Sequence, residues 1–473
     1  MEFSFFSIPF WTVFVVFIAL FAAIRGRTRV GMMLYVIAFS LLFAALTNGW
    51  TMILLPAMAV VSWSLTEWMK RMRTTPGRKA VLAVTVITML LPLLFFKYTN
   101  FLIGTFNSLT RDNIPFLRIA LPVGISFYTF QAVSYSVDVF RGRFTEKVSL
   151  LEYIFYLTYF PLLMCGPITR AETLFPQLKN DGPVSARTLK VGLFLIICGL
   201  LKKALLADYL AQFNNMVFDD PAAFSGFEVF LGVLGYSLQI YFDFSGYSDM
   251  ATGLSSLMGI RLPDNFSFPY QSLNVSEFWR RWHISLSSWF RDYLYIPLGG
   301  NRKGAVRTYL NNFSVMLVAG LWHGASWMFV IWGGLHGLAL VIHKLCKKLF
   351  LDRIDDKWYV RSLSWILTFT FVAGAWVFFR SPDMATCRTV FSKIATDFDP
   401  SFFVPFIQAR GLWFFALVSG FLFCIVKEKT YNKLRDGFAN LPWWAGMLAF
   451  MMTVQLVLQF CQSSVQPLIY AQF

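Results

Sequence analysis

All four histidines of this 473-residue chain lie between positions 283 and 343. His283 ends the aromatic and basic run EFWRRWH, and His323 lies in the run GLWHGASW at 320–327. An imidazole titrates near neutral pH, so it can take a proton from a hydroxyl group or attack a carbonyl carbon itself. The residue types therefore indicate acid–base or nucleophilic chemistry in this part of the chain.

A metal site is not predicted at these histidines. Their spacings of 40, 13 and 7 residues contain no HxxxH pair, and no carboxylate cluster accompanies them. The six cysteines form no CxxC pair. Walker A, GxSxG and Rossmann motifs are absent too, so ATPase, serine hydrolase and dehydrogenase functions lack support. His336, which lies among three glycines, is expected to pack or hydrogen-bond between helices.

Two other segments place polar side chains along one helical face. The residues are Tyr128, Gln131, Tyr135 and Asp138 in the first segment, and Tyr236, Gln239 and Asp243 in the second. Interhelical hydrogen bonding would explain both faces. A polar-lined cavity through a helical bundle would explain them equally well.

The elements that carry these residues belong to a membrane. Hydrophobic residues make up 57% of the chain and charged residues 14%, whereas a soluble domain carries about 25% charged residues. Of the 41 basic residues, 31 lie in seven short stretches between apolar runs. This clustering is typical of cytoplasmic loops and not of a nucleic-acid-binding face, so the lipid bilayer is the expected partner and nucleic acid is not.

The apolar runs predict an all-α polytopic membrane protein with about 11 spans of about 20 residues. They are 6–24, 31–47, 50–66, 80–96, 121–139, 190–206, 228–257, 326–343, 361–379, 411–426 and 441–460, joined by shorter or broken segments at 150–166, 284–300 and 308–322. Placing the basic clusters inside puts the N-terminus outside and leaves the nearly charge-balanced stretches 98–120, 207–227 and 381–410 outside. Lys202 and Lys203 fit this pattern poorly and stay unplaced. With no repeat and no linker rich in glycine, proline or serine, residues 1–473 are predicted to form one transmembrane domain.

The depth of His323 follows from the length of the arm before it. The apolar part of 308–322 has about 12 residues, or about 18 Å of helix, which is shorter than a hydrocarbon core of about 30 Å. The tip of this hairpin is therefore expected within the membrane, against protein or a water-filled cavity. A titratable side chain in that place favours catalysis over a structural role.

Three longer motifs resemble those of the membrane-bound O-acyltransferase family. They are FWRRWHISLSSWFRDYLYIPLGGN at 278–301, YFDFSGYSD at 241–249 and LWHGASW at 321–327. The runs SFYTFQ at 126–131 and CGPI at 165–168 are similar to its bacterial polysaccharide branch. The core motifs lie within 121–345, and the helical extension 385–473 matches in hydropathy more than in motif.

The resemblance implies a fold, a site and partners. The fold would be a helical bundle with re-entrant or short helices around a central tunnel, in the inner membrane of a bacterium. His323 would be the catalytic histidine and His283 a second characteristic residue nearer the cytoplasm. Acetyl groups from a donor, expected to be acetyl-CoA, would pass outward to a separate SGNH-type acetyltransferase and then to a polysaccharide. No permanently bound cofactor is implied.

Further residues are expected to line the donor path. Arg280 and Arg281 belong to a group of six basic residues that could bind the phosphates of the donor, although topology alone would also explain them. Tryptophans 322 and 327 could exclude water from the thioester, although contact with lipid or core packing would explain them equally well. The remaining expected tunnel residues are Trp282, Asp243, Tyr128 and Gln131.

Three other functions stay open at the level of the sequence. Within the family, the chain could be a D-alanyl transferase of teichoic-acid modification that takes its acyl group from a carrier protein; the C-terminal extension favours the polysaccharide branch. Outside the family, broken helices and polar faces also occur in transporters, although the repeated halves common there are not visible. A non-catalytic scaffold of a polysaccharide-export complex is the third alternative.

Overall fold

The computed structural model describes residues 3–180, 182–349, 357–460 and 469 of the chain. In these residues all regular structure is helical, and the α-helices are joined by short 3₁₀ and π-helical turns. The chain divides into two compact units, one of Met1–Ile196 with Tyr247–Pro263 and the other of Ile197–Gly246 with Asp264–Phe473. The prediction of an all-α protein is confirmed; that both units act as one transmembrane domain stays a prediction.

Among the described residues up to 257 there are twelve α-helices. They are α1 (Ile8–Ile24), α2 (Arg29–Asn48), α3 (Leu54–Arg71), α4 (Thr75–Leu93), α5 (Thr99–Thr110), α6 (Ile125–Phe140), α7 (Leu150–Thr158), α8 (Phe160–Leu163), α9 (Ala171–Leu174), α10 (Ala186–Leu200), α11 (Asp208–Asp219) and α12 (Gly226–Leu257). In the first unit, Phe160 of α8 is contacted by aromatic rings from α1 and α2, among them Phe17 and Phe39. This aromatic cluster fixes the N-terminal helices onto the unit.

The remainder of the second unit contains nine more helices among the described residues. They are α13 (Val275–Arg281), α14 (Ile284–Phe290), α15 (Ala305–His323), α16 (Trp327–Leu349), α17 (Trp358–Arg380), α18 (Met384–Thr396), α19 (Phe403–Cys424), α20 (Glu428–Asn440) and α21 (Trp443–Phe460). All four histidines lie on or between α13 and α16.

Six helical stretches of the described chain are long and apolar enough to cross a membrane. They are Arg29–Arg71, Thr75–Thr110, Trp327–Leu349, Trp358–Arg380, Pro400–Cys424 and Trp443–Phe460. The first contains two helices that separate at Gly49, where the backbone φ of +57° favours glycine. This break confirms the two helices predicted on either side of Asn48. The protein is thus a multi-pass membrane protein, and the count of about 11 spans stays a prediction.

The stretch 98–120, predicted as a polar connection, contains the helix α5 and an extended segment that runs back along it. Two asparagines of α5 bind this extended segment. The side-chain amide of each one accepts a hydrogen bond from the backbone N–H of one residue in the segment and donates a hydrogen bond to the carbonyl oxygen of the same residue. Asn107 pairs with Ile114 at 3.0 and 2.9 Å, and Asn100 pairs with Leu117 at 2.9 and 2.9 Å. The two asparagines are seven helical residues apart and their two partners are three extended residues apart. Each of these spacings is about 10 Å, so both pairs can form at the same time.

Replacing Asn107 by alanine should release one end of this extended segment. A neutral hydrogen bond contributes about 1 kcal/mol, so the amide of Ile114 should exchange with deuterium about fivefold faster in Asn107→Ala. Hydrogen-exchange mass spectrometry measures this rate. Asn113→Ala is the control, since Asn113 makes no side-chain hydrogen bond among the described residues. Equal protection of Ile114 in parent and Asn107→Ala would contradict the pairing.

Candidate active site

The close packing of α15 against α16 positions His323. A side-chain carbon at Gly320 would lie 2.2 Å from the carbonyl oxygen of Phe329, and one at Gly333 would lie 2.3 Å from that of Met316. Because real carbon–oxygen contacts are longer, only glycine allows the two backbones to approach so closely. His323 is the last residue of α15, and the turn 324–326 follows it. The predicted hairpin with His323 at its tip is therefore present.

Aromatic rings enclose the imidazole of His323, and the residue as a whole is only 3% exposed. Its ring centroid lies 5.0 Å from Trp322, 5.0 Å from Trp332 and 5.5 Å from Phe379. The ring of Trp332 is perpendicular to the imidazole, at 90°. These rings exclude bulk water from the imidazole and restrict its orientation.

His283 lies between α13 and α14 in a left-handed backbone conformation, with φ of +43°. Its Nδ1 is 3.0 Å from Oδ1 of Asn265, and this oxygen also accepts from the backbone N–H and the hydroxyl of Ser285. An oxygen acceptor requires the proton of the imidazole on Nδ1. The lone pair of His283 therefore lies on Nε2, the nitrogen that could accept a proton from a reactant.

The two predicted catalytic histidines both contact one tryptophan. The ring of Trp322 is 6.0 Å from that of His283 and 5.0 Å from that of His323. Phe244 contacts His283 from another side at 4.6 Å. The structure thus brings His283 and His323 into one aromatic cluster although 40 residues separate them in the chain.

A cavity of about 360 Å³ opens beside this cluster in the second unit. Its basic and polar lining comprises Arg280, Arg291, Lys344, Ser276, Ser287, Ser288 and Asn312. Its apolar lining includes Val315, Met316 and Ala319 of α15, and Ala319 lies one helical turn before His323. The cavity therefore combines cations with an apolar wall that leads along α15 toward the enclosed histidine, and it could hold an anionic ligand with an apolar arm.

The neighbouring residues Arg280 and Arg281 have different surroundings. Arg280 lines the cavity. Arg281 instead forms an ion pair with Glu277 at 2.8 Å and donates to the backbone carbonyl of Ser267 at 3.2 Å. Successive helical residues point about 100° apart, which explains why only one of the two reaches the cavity.

Other predicted tunnel residues of the second unit lie outside the cavity lining. Trp282 is fully buried, with the rings of Trp376 at 5.0 Å and Phe278 at 5.5 Å. Trp327, the first residue of α16, is 57% exposed. Water is therefore excluded from His323 by the rings of Trp332 and Phe379 as well as by that of Trp322.

Asp243 takes part in a buried ionic cluster. Its carboxylate lies 2.6 Å from the ammonium group of Lys203, which also pairs with Asp208 at 2.8 Å. Lys203 is one of the two lysines that fitted the topology poorly, and it lies in a π-helical turn at Leu201–Ala207. On the same face of α12, Gln239 accepts a hydrogen bond from Asn214 at 2.9 Å. The second polar face thus holds α12 against the segment 201–219.

Tyr128 and Gln131 belong to the first unit and are buried on α6. The hydroxyl of Tyr156 donates to the carbonyl oxygen of Thr169 at 2.9 Å and lies 3.5 Å from that of Gln131. Tyr135, on the same face, packs against Tyr153 at 4.7 Å. The first polar face therefore packs within its own unit.

Several site residues were not predicted from the sequence. Lys344, Trp279, Trp332 and Phe379 line the cavity or the aromatic enclosure. The spacing of Trp332, His336, Leu340 and Lys344 by four residues is the signal that could have placed Lys344 on the face of α16 that carries His336. Phe379 lies 56 residues after His323, and no local pattern connects them. Among the described residues, no group of His, Cys, Asp or Glu could hold a metal ion.

Burial lowers the pKa of His283, which lies outside the six candidate spans, to about 3. The imidazole should therefore stay neutral at all pH values above about 4, and its NMR resonance should not shift between about pH 5 and 8. Because the unfolded chain binds a proton below about pH 6.5 and the folded site does not, the free energy of unfolding should fall as the pH decreases through this value. A midpoint near 6.5 for His283 would contradict its burial.

The chain is similar to known proteins over most of its length. Residues 32–381 match the model of the membrane-bound O-acyltransferase family. The chain is 38% identical over 325 residues to the peptidoglycan O-acetyltransferase of Helicobacter pylori, covering 63% of this chain and 61% of that protein. It is 36% identical over 424 residues to a probable alginate O-acetylase of Pseudomonas putida, covering 85% and 86%.

A third relative is more distant. The teichoic acid D-alanyltransferase of Streptococcus thermophilus is 28% identical over 401 residues, covering 78% of this chain and 93% of that protein. The chain thus spans about three fifths of the Helicobacter relative and most of the other two. Since the family model covers most of the chain, the chain belongs to the membrane-bound O-acyltransferase family.

Proposed function

We propose that the protein is an O-acetyltransferase that takes acetyl groups from cytoplasmic acetyl-CoA and passes them across the membrane for O-acetylation of an extracytoplasmic polysaccharide. The single observation that carries the proposal is the enclosed imidazole of His323 beside a basic cavity. The names of the more similar relatives, a peptidoglycan O-acetyltransferase and a probable alginate O-acetylase, support an acetyl group and a polysaccharide.

In the proposed reaction, His323 is the catalytic base. A hydroxyl oxygen of the acceptor attacks the thioester carbonyl carbon as the imidazole removes its proton, and the C–S bond then breaks. The proton passes to the leaving CoA sulfur. Alternatively, an imidazole nitrogen attacks first and carries the acetyl group to the acceptor. In both routes the rings of Trp322, Trp332 and Phe379 protect the activated acetyl group from water.

The basic cavity is the proposed binding site for the donor. Arg280, Arg291 and Lys344 would bind its phosphates, and the apolar wall of α15 would hold the arm that ends in the thioester. His283, with its lone pair on Nε2, would accept a hydrogen bond near the cytoplasmic end of the path. No permanently bound cofactor or metal is part of this proposal.

The acceptor side of the proposal requires a second protein. An SGNH-type acetyltransferase outside the membrane would receive the acetyl group and complete its transfer to the polysaccharide. The proposed location is the inner membrane of a bacterium, with about 11 spans around a tunnel and the N-terminus outside. Cysteines introduced at positions 48 or 112 should then react with an impermeant maleimide on spheroplasts, whereas cysteines at 75 or 430 should not. The opposite pattern would remove cytoplasmic acetyl-CoA as the donor.

His323→Ala should abolish acetyl transfer while the protein still inserts in the membrane. Removal of the base costs on the order of 10²- to 10⁴-fold in rate. The measurement is turnover of radiolabelled acetyl-CoA by purified parent and variant in proteoliposomes with the acceptor protein. Turnover by the variant at the parent rate would disprove the role of His323. Transfer of D-alanine from a carrier protein would favour the alternative within the family, and substrate movement without acyl transfer would favour a transporter.

Arg280 and Arg281 offer a matched pair for the donor site. Arg280→Gln should raise the KM for acetyl-CoA about tenfold, the expected loss for one charge-assisted hydrogen bond of about 1.5 kcal/mol. Arg281→Gln should leave this KM unchanged, because Arg281 pairs with Glu277 instead. Steady-state kinetics of both variants provide the test. Equal effects on KM would show that the basic cluster acts only through its overall charge.

A further inference from the structure

His336 is a buried histidine of α16 that the proposed reaction does not use. It is fully buried, and its Nδ1 lies 3.3 Å from the indole Nε1 of Trp279 on α13. Its ring centroid is 4.8 Å from Trp332, 5.1 Å from Trp279 and 5.2 Å from Phe371. His336 is expected from the sequence to pack or to hydrogen-bond between helices, and it does both.

The tautomer of His336 follows from this hydrogen bond. An indole N–H can only donate, so Nδ1 of His336 must carry the lone pair. The neutral ring then has its proton on Nε2, which is buried and has no hydrogen-bond partner among the described residues. Burying a donor without an acceptor costs free energy that a leucine of similar size would not cost. Packing alone therefore explains His336 poorly.

Both rings beside His336 belong to the site. Trp279 lines the basic cavity. Trp332 lies 5.0 Å from His323 and perpendicular to it, and it stacks on Trp376 at 5.7 Å. His336 thus contacts one ring that faces the cavity and another that restricts the imidazole of His323.

We propose that His336 is a positioning residue, which accepts the indole hydrogen bond of Trp279 and packs on Trp332, and so keeps the cavity wall aligned with His323. The inference deepens the proposed function and rests on it for its kinetic consequence. A displacement of about 1 Å in a reacting group can cost about 100-fold in rate, so the alignment matters even though His336 touches no reactant.

Two substitutions separate positioning from packing. His336→Asn places an acceptor oxygen near the position of Nδ1, whereas His336→Leu keeps the bulk and removes the acceptor. We expect His336→Leu and Trp279→Phe each to lower kcat about 10- to 100-fold with a smaller change in KM. His336→Asn should retain most of the activity. The double variant Trp279→Phe/His336→Leu should have a kcat no lower than that of the less active single variant, because both substitutions remove the same hydrogen bond.

A spectroscopic measurement keeps the test independent of the substrate. The chain has four histidines, so the imidazole resonance of His323 can be assigned in the purified full-length protein by comparison with His323→Asn. In His336→Leu this resonance should shift, because Trp279 loses its hydrogen bond and the Trp332 ring, 5.7 Å from that of Trp279, then changes its orientation and its ring current at His323. In His336→Asn and in the control His343→Leu it should not shift. An unshifted His323 resonance in His336→Leu would overturn the positioning role. A shifted resonance in a protein that does not use acetyl-CoA would support positioning and disprove only the proposed function.

Discussion

The close contact between α15 and α16 is the constraint on which the site depends. Gly320 and Gly333 allow backbone to touch backbone, and this contact fixes the place where α15 ends. His323 is that last residue, so the position of its imidazole is set by main-chain atoms and not by a flexible side chain alone. A side-chain carbon at Gly320 would collide with a carbonyl oxygen that belongs to α16 and cannot rotate away. The helices would then separate, and the rings of Trp332 and Phe379 would move away from His323.

The site combines two environments that acyl transfer requires and that do not normally occur together. Around His323 the neighbours are aromatic, which keeps water from an activated acyl group. Around Arg280, Arg291 and Lys344 the surface is basic and open, which suits a charged donor. The helix α15 contributes to both, since Ala319 lines the cavity and His323 follows one turn later. The single helix α15 therefore joins the basic cavity to the aromatic enclosure of His323.

The sequence allowed prediction of whatever depends on local pattern. Apolar length gave the helices and the hairpin, and the motifs around His283 and His323 gave the family. Contacts over long sequence distances were not accessible. Arg280 and Arg281 are adjacent and carry the same charge, and the packing of α13 on the distant α16 decides that Arg280 is the one that lines the cavity. Lys203 could not be placed because its partner Asp243 follows 40 residues later, across a π-helical turn that no periodicity predicts.

Hydrogen bonds at Nδ1 give two of the buried imidazoles opposite tautomers. Asn265 accepts from His283, which leaves a lone pair on Nε2, and Trp279 donates to His336, which leaves a proton on Nε2. A continuous series of ring contacts joins these two histidines: it runs from His283 through Trp322, His323 and Trp332 to His336. His283 and His336 are thus each held in one tautomer, and the proposed function assigns the proton that moves during the reaction to His323. The rings of Trp322, Trp332 and Phe379 restrict the plane of the His323 imidazole, and the proposed base route and acyl-carrier route both require that one of its nitrogens faces the reactant.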